Sequence, residues 1–148
     1  MAIERKGLVV QIRELMTSDP LVLAVDEPLR VAEMFMDLAH VRHLPVVEEM
    51  RVVGLVTHRD LLGVATKLLG TPVDAVSRDR IRSVPVASIM RRDVRTIDAE
   101  MDVREAIDIM IDHKYGCLPV TTEGHLVGIL TEADFLKYAK RCLETGQP

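Results

Sequence analysis

Apolar residues along this chain follow two alternating rhythms, and the alternation happens twice. Leu29, Ala32, Phe35, Met36 and Ala39 recur at helical spacing and form one apolar stripe, as do Val103, Ala106, Ile107 and Met110. After each stripe come two short β-branched runs, residues 43–47 and 51–56, then 117–121 and 125–130. Glu48-Glu49-Met50 and Thr122-Glu123-Gly124 separate the members of each pair, which predicts two tight antiparallel hairpins. Pro45 inside the first run predicts an edge position or a strand start. Upstream, residues 12–16 predict a short helical turn and residues 21–25 an extended segment. Asp26-Glu27-Pro28 predicts a helix start, with an acidic cap and Pro in the first turn. Each half closes with a helix, from Thr57 or His58 to about residue 69 and from about 132 to 144.

The two halves align without a gap at an offset of 74 positions. Leu15-Met16 meets Ile89-Met90, Leu44-Pro45-Val46 meets Leu118-Pro119-Val120, and Asp19 meets Asp93. The most informative match is Gly54-Leu55-Val56-Thr57-His58-Arg59-Asp60 with Gly128-Ile129-Leu130-Thr131-Glu132-Ala133-Asp134. In each, an apolar strand runs into a helix at Thr-x-x-Asp, so both oxygen side chains fall on one helical turn. For a single copy the plain reading is a capping Thr and a first-turn acid favoured by the helix dipole. The duplication points beyond that, to a pair of equivalent sites. Each copy is only about 55 residues, too small to be comfortably stable alone, so the two are expected to share one body.

This order of Leu/Ile-Met start, Leu-Pro-Val strand and Gly-h-h-Thr-x-x-Asp (h apolar), twice over residues 8–143, resembles a CBS domain pair, or Bateman module. The resemblance implies an α/β (α+β) fold of tandem β-α-β-β-α repeats with pseudo-two-fold symmetry. It implies one module over residues 1–148, with repeat one at about 8–69, a linker at about 70–83 and repeat two at about 84–144. The linker, with Gly70-Thr71-Pro72 and the polar run Ser77-Arg78-Asp79-Arg80, is expected to be a partly mobile loop. The repeats fill nearly the whole of this sequence, so a stand-alone tandem CBS protein is expected.

The resemblance further implies a non-enzymatic regulatory sensor whose clefts bind adenine nucleotides (AMP, ADP or ATP). Asp60 and Asp134 are then expected to accept hydrogen bonds from the ribose hydroxyls, which suits an acceptor-only carboxylate. Thr57 and Thr131 are expected at the phosphates, through hydroxyl and helix N-terminus. The backbones of His43, Leu44 and Pro45, and of Tyr115, Gly116, Cys117, Leu118 and Pro119, are expected beside the adenine, with Val22 and Thr96 as base contacts. Thr17 and Arg91, each following the motif Met, fall near the same clefts. Arg59 adds a cation, with His58 beside it, where copy two has Glu132. The Thr57/Asp60 cleft is therefore expected to take the more highly phosphorylated nucleotide.

Composition narrows the rest. The chain is 48% hydrophobic and 28% charged but only 3% aromatic, with eight Met and no Trp, so its core is aliphatic. A net charge of −4 and the lack of interleaved aromatics argue against nucleic acid as a partner. No apolar run approaches the roughly 20 residues that cross a bilayer. No signal-peptide core opens the chain, and Cys117 and Cys142 form no CxxC, so a cytoplasmic location is expected. Arg78, Arg80, Arg82, Arg91, Arg92 and Arg95 read either as a solvated loop or as a phosphate-facing rim. His40 and His43 lack the further ligands of a metal site, and Cys117 lacks a base and acid to make it a nucleophile. Leu61, Leu62, Val64, Ala65, Leu68 and Leu69, and Phe135, Leu136, Tyr138, Ala139 and Leu143, cover more than one helix face, which predicts a homodimer. The regulated partner is unknown. The alternatives are S-adenosylmethionine or another adenosyl ligand, a protein-interaction module with empty clefts, and a small hydrolase. The hydrolase is disfavoured because two symmetric motifs make two binding sites more naturally than one active site.

Overall fold

Each half of the chain runs β-α-β-β-α. In the computed structural model, which describes residues 9–69 and 74–146, a 3-10 turn at Ile12–Glu14 and strand β1 (Thr17–Ser18) come first. Then follow β2 (Leu23–Ala24), α1 (Leu29–Ala39), β3 (His43–Glu48), β4 (Arg51–Thr57) and α2 (His58–Leu69). After α3 (Ala75–Arg82) and a second 3-10 turn, Val86–Ser88, the pattern returns as β5 (Ile97–Asp98), α4 (Val103–His113), β6 (Cys117–Thr122), β7 (His125–Thr131) and α5 (Glu132–Thr145). Residues 70–73 of the expected loop, with Gly70, Thr71 and Pro72, the amino-terminal residues 1–8, the tail residues 147–148 and the side chains of Leu68 and Leu69 lie outside the described residues.

The compact units do not coincide with the sequence copies. One unit comprises Pro20–Arg95 with Gly124–Leu126; the other comprises Met1–Asp19, Thr96–Glu123 and Val127–Pro148. The segment that opens each copy is thus built into the body of the other. In the first unit, Val86 and Met90 join Leu23, Leu29, Ala32, Met36, Leu44, Val46 and Val56 in the core. Backbone bonds fix this segment: Val86 N donates to Glu27 O at 2.8 Å, Leu29 N to Val84 O at 2.9 Å, and Leu55 and Arg91 exchange two bonds of 2.9 Å. In the second unit, Ile12, fully buried, packs with Ile97, Ala99, Val103, Ala106, Met110, Leu118, Val120 and Leu130. Ile12 N donates to Met101 O and Val103 N to Val10 O, while β1 pairs antiparallel with β7, Thr17 opposite Ile129.

The first unit holds the three-stranded sheet β2-β3-β4 and the second the four-stranded sheet β1-β7-β6-β5. Pro45 lies in the central strand β3, not at an edge or strand start. Its missing N–H is harmless there. Leu55, opposite it on β4, spends its amide and carbonyl on Arg91, so Pro45 occupies a non-hydrogen-bonded pair. On the other flank β2 joins only at Leu23–Val46 and Ala24–Val47, beyond the proline. Both hairpins turn through left-handed residues, Glu49 and Met50 in the first and Glu123 and Gly124 in the second, the signature of the twist-matched two-residue turn.

Other local expectations shift. Pro28 is the extended residue ahead of α1 rather than part of its first turn, and no side chain caps that helix. Glu27 accepts from Ala24 N instead, and Leu29 N finds Val84 O. In α4 the cap is present: Asp102 accepts from Arg104 N at 2.8 Å. The hydrogen bonds from the Arg104 side chain, then its amide, lower the Asp102 carboxyl to about 2. Its contribution is therefore complete above the ordinary carboxylate range and is lost as pH falls through about 2. Ala39 is exposed at the end of the α1 stripe. The run Ser77-Arg78-Asp79-Arg80 is helical, not loop: Asp74 caps α3 by accepting from Ser77 N at 2.8 Å.

Gly54 and Gly128 occupy the places where the exchanged segments cross the sheets. A Cβ on Gly54 would overlap Met90 Sδ, and one on Gly128 would lie 2.5 Å from Met16 Sδ and 3.0 Å from Thr17 O. Gly63, in α2, has nothing within 4 Å. Gly54→Ala and Gly128→Ala should each cost roughly 1–3 kcal/mol by overpacking. Gly63→Ala should stabilise by about 0.5–1 kcal/mol. Urea unfolding of the three variants checks the contrast.

Candidate functional site

The Thr-x-x-Asp turn is, first of all, a reciprocal cap. Thr57 N and Thr57 Oγ1 both donate to Asp60 Oδ2, at 2.8 and 2.6 Å, and Asp60 N donates to Thr57 Oγ1 at 3.3 Å. The turn at Thr131 repeats it, with N and Oγ1 both 2.8 Å from Asp134 Oδ2. This is the capping box with Asp in the place usually held by Glu. It forms because an extended Thr at the end of β4 or β7 leaves the first helical amides without partners. His58 N is likewise taken, by Arg42 O at 2.9 Å. The hydroxyl protons of Thr57 and Thr131 are committed to the carboxylates, so each hydroxyl has only acceptor capacity to spare.

What remains for recognition is the second oxygen, Oδ1, and here the two turns part. In the first unit, Arg91 Nε and Nη2 both lie 3.4 Å from Asp60 Oδ1. In the second, Thr17 Oγ1 donates to Asp134 Oδ1 at 3.1 Å, and Lys137 Nζ stands 3.6 Å from the same oxygen. The Asp134 side chain is 4% exposed and that of Asp60 16%. Thr17 and Arg91 occupy matching positions of the repeat, so the exchanged segment supplies the neighbour of the carboxylate in both units.

The other expected residues fall around these turns. His58 and Arg59 are exposed on the first turn of α2. Leu44, Pro45, Cys117, Leu118 and Pro119 are buried, so only their backbones can face a ligand; His43, Val22, Thr96 and Gly116 are half-buried. Glu132 N donates to Gly116 O at 3.4 Å, which ties the start of β6 to the second turn. Tyr115 stacks on His113 with ring centroids 5.2 Å apart. Of the six arginines, Arg91 alone has a hydrogen bond to Asp60 recorded among the described residues. Arg82 pairs with Glu33 at 2.8 Å and Arg92 donates to Ala87 O. Among the described residues no three His, Cys, Asp or Glu gather into a metal-binding group. Lys137 was not singled out in the sequence, although its place three residues after Asp134 was a readable signal. An open depression of about 670 Å³, lined by Ala24, Val25, Val47, Glu48, Glu49, Arg51 and Val53, lies at the hairpin end of the first unit and includes neither Thr57 nor Asp60.

Comparison with known proteins follows this architecture closely. The family model of the CBS domain matches residues 12–67 and again 86–141. An uncharacterised Methanocaldococcus jannaschii protein, MJ1225, is 34% identical over 133 residues, 86% of this chain and 46% of that protein. The chain spans less than half the length of several curated relatives that it matches. The crystal structure of AcuB from Vibrio cholerae superposes with a TM-score of 0.79 at 30% identity, covering 93% of this chain and 95% of that one. CBSX2 in complex with AMP shares the fold at 21% identity and TM-score 0.73, covering 88% of this chain and 96% of its own. So does the CBS domain pair of MJ0100 with 5′-methylthioadenosine and S-adenosyl-L-methionine, at 18% and 0.74, covering 90% and 98%.

Thr57→Ala should cost about 0.5–2 kcal/mol through the lost cap. Thr131→Ala should cost more, because it strips a donor from a carboxylate that is almost fully buried. Thr131→Ser should restore most of the loss. Chemical denaturation of the three variants orders them, and equal costs for Thr57→Ala and Thr131→Ala would contradict the burial argument.

Proposed function

The chain belongs to the CBS domain family, and on that footing we propose that it is a non-enzymatic regulatory module that binds an adenosine-containing ligand at a Thr-x-x-Asp turn. The observation that carries the reading is the geometry of the carboxylates. One oxygen of each is locked by its helix cap and the other faces a side chain of the exchanged segment; at Asp60 that contact is long, 3.4 Å, and leaves an acceptor preset for a vicinal diol. Charge-assisted hydrogen bonds contribute about 1.5–3 kcal/mol each, a sizeable share of the roughly 8 kcal/mol of a micromolar ligand. Structural relatives with AMP, and with methylthioadenosine and S-adenosylmethionine, support the adenosyl class. Ligand then shifts a population of conformations that a partner protein reads, by its differential affinity for the two states.

The helices support a second part of the proposal. Leu61, Val64 and Phe135 pack against their cores, while Leu62 is 52%, Leu136 72% and Leu143 86% exposed. We assign these exposed apolar residues of α2 and α5 to a homodimer contact. No helix among the described residues is long and apolar enough to cross a membrane.

Thermal unfolding with AMP, ATP, S-adenosylmethionine and methylthioadenosine tests the binding. At 100 times its Kd a ligand should stabilise by about 2.7 kcal/mol, and the shift should vanish in the double variant Asp60→Ala/Asp134→Ala. No shift with any of the four would overturn the reading. Light scattering should give a dimer mass that Leu136→Asp/Leu143→Asp reduces to the monomer; a monomer mass for the unaltered chain would overturn the assembly.

A further inference from the structure

The two turns share one cap but differ in what meets the outer carboxylate oxygen. In the second unit the Thr17 hydroxyl donates to Asp134 Oδ1 at 3.1 Å. That is the bond a ribose hydroxyl would make. With Oδ2 taken by Thr131 N and Oγ1, both oxygens are satisfied by internal hydroxyl and amide donors, and the side chain is 4% exposed. A diol arriving there gains little, because it exchanges one neutral hydroxyl donor for another. In the first unit the matching position is Arg91. Its guanidinium stands at 3.4 Å from Asp60 Oδ1, long for a charge-assisted bond, and is itself 59% exposed. Asp60 therefore keeps an under-used acceptor, and Arg91 keeps donors to spare beside it. A ligand that offers a diol to Asp60 and a phosphate to Arg91 improves both partners at once.

We infer that Thr17 closes the Asp134 turn with an internal hydroxyl, so that the chain takes a single phosphorylated adenosyl ligand, at Asp60, with Arg91 reading the phosphate. The inference rests on the adenosyl reading above and sharpens it. Lys137 does not reverse it: at 3.6 Å from Asp134 Oδ1 it lies outside hydrogen-bond reach in a side chain that is 76% exposed. The helix mouth does not substitute for Arg91 either, because Thr57 N, His58 N and Asp60 N already have acceptors.

Calorimetric titration of the full chain with AMP and with adenosine tests this. One AMP should bind per chain. Asp60→Asn should weaken it more than tenfold, and Asp134→Asn should leave it within about twofold. Arg91→Met, which removes the guanidinium without supplying a hydroxyl to Asp60, should weaken AMP at least fivefold and leave adenosine unchanged. Thr17→Val, which removes the hydroxyl from an exposed edge strand at constant volume, should raise the stoichiometry to two. Circular dichroism confirms that each variant is folded, and the Thr17 and Arg91 variants keep the test open if Asp134→Asn does not fold. Two AMP per chain in the unaltered protein, loss of the site with Asp134→Asn alone, or one site still in Thr17→Val would overturn the inference. Absence of any binding by AMP and adenosine would instead strike the adenosyl reading itself, and the inference with it.

Discussion

The structure depends on the burial of two borrowed segments. Ile12 and Val86 are fully enclosed in cores otherwise built from the opposite copy, and Met16 and Met90 lie against glycines that leave no room for a Cβ. Burying one such aliphatic side chain contributes roughly 1.5–3 kcal/mol, a large fraction of what a body of this size holds in reserve. Neither copy completes its core without the other's opening residues. The exchange also brings Arg91 to Asp60 and Thr17 to Asp134. Packing and the proposed recognition therefore draw on one segment: the methionine that seats it is followed directly by the residue that meets the carboxylate.

That coupling explains why a glycine, a threonine and an aspartate recur together. Glycine admits the methionine, threonine ends the strand and opens the helix, and aspartate closes the cap with one oxygen and presents the other. The cap holds that carboxylate in place ahead of any ligand, so little ordering is left for a ligand to impose.

Much of this was legible in the sequence, because periodicity and turn chemistry are local. The stripe through Leu29, Ala32 and Met36, the hairpin at Glu49-Met50 and the Thr-x-x-Asp helix starts follow from spacing alone. Three features were not legible, each for a non-local reason. Pro45 reads as an edge residue because its harmlessness depends on Leu55 bonding to Arg91, 36 positions away in sequence. Residues 75–82 read as loop because their polar run has no apolar stripe; Asp74 and the Arg82–Glu33 pair form that helix regardless. The exchange of opening segments left no trace in the repeat alignment, since either pairing of segments with bodies gives the same internal match. The candidate residues Thr17 and Arg91 could be named from their place after methionine. Which carboxylate each would meet could not.

A crystal structure with AMP bound tests the central claim most directly. The account predicts the ribose hydroxyls within hydrogen-bond distance of Asp60 Oδ1, with the Arg91 guanidinium moved from that oxygen to the phosphate. A nucleotide bound elsewhere, with the Arg91–Asp60 contact intact, would contradict it.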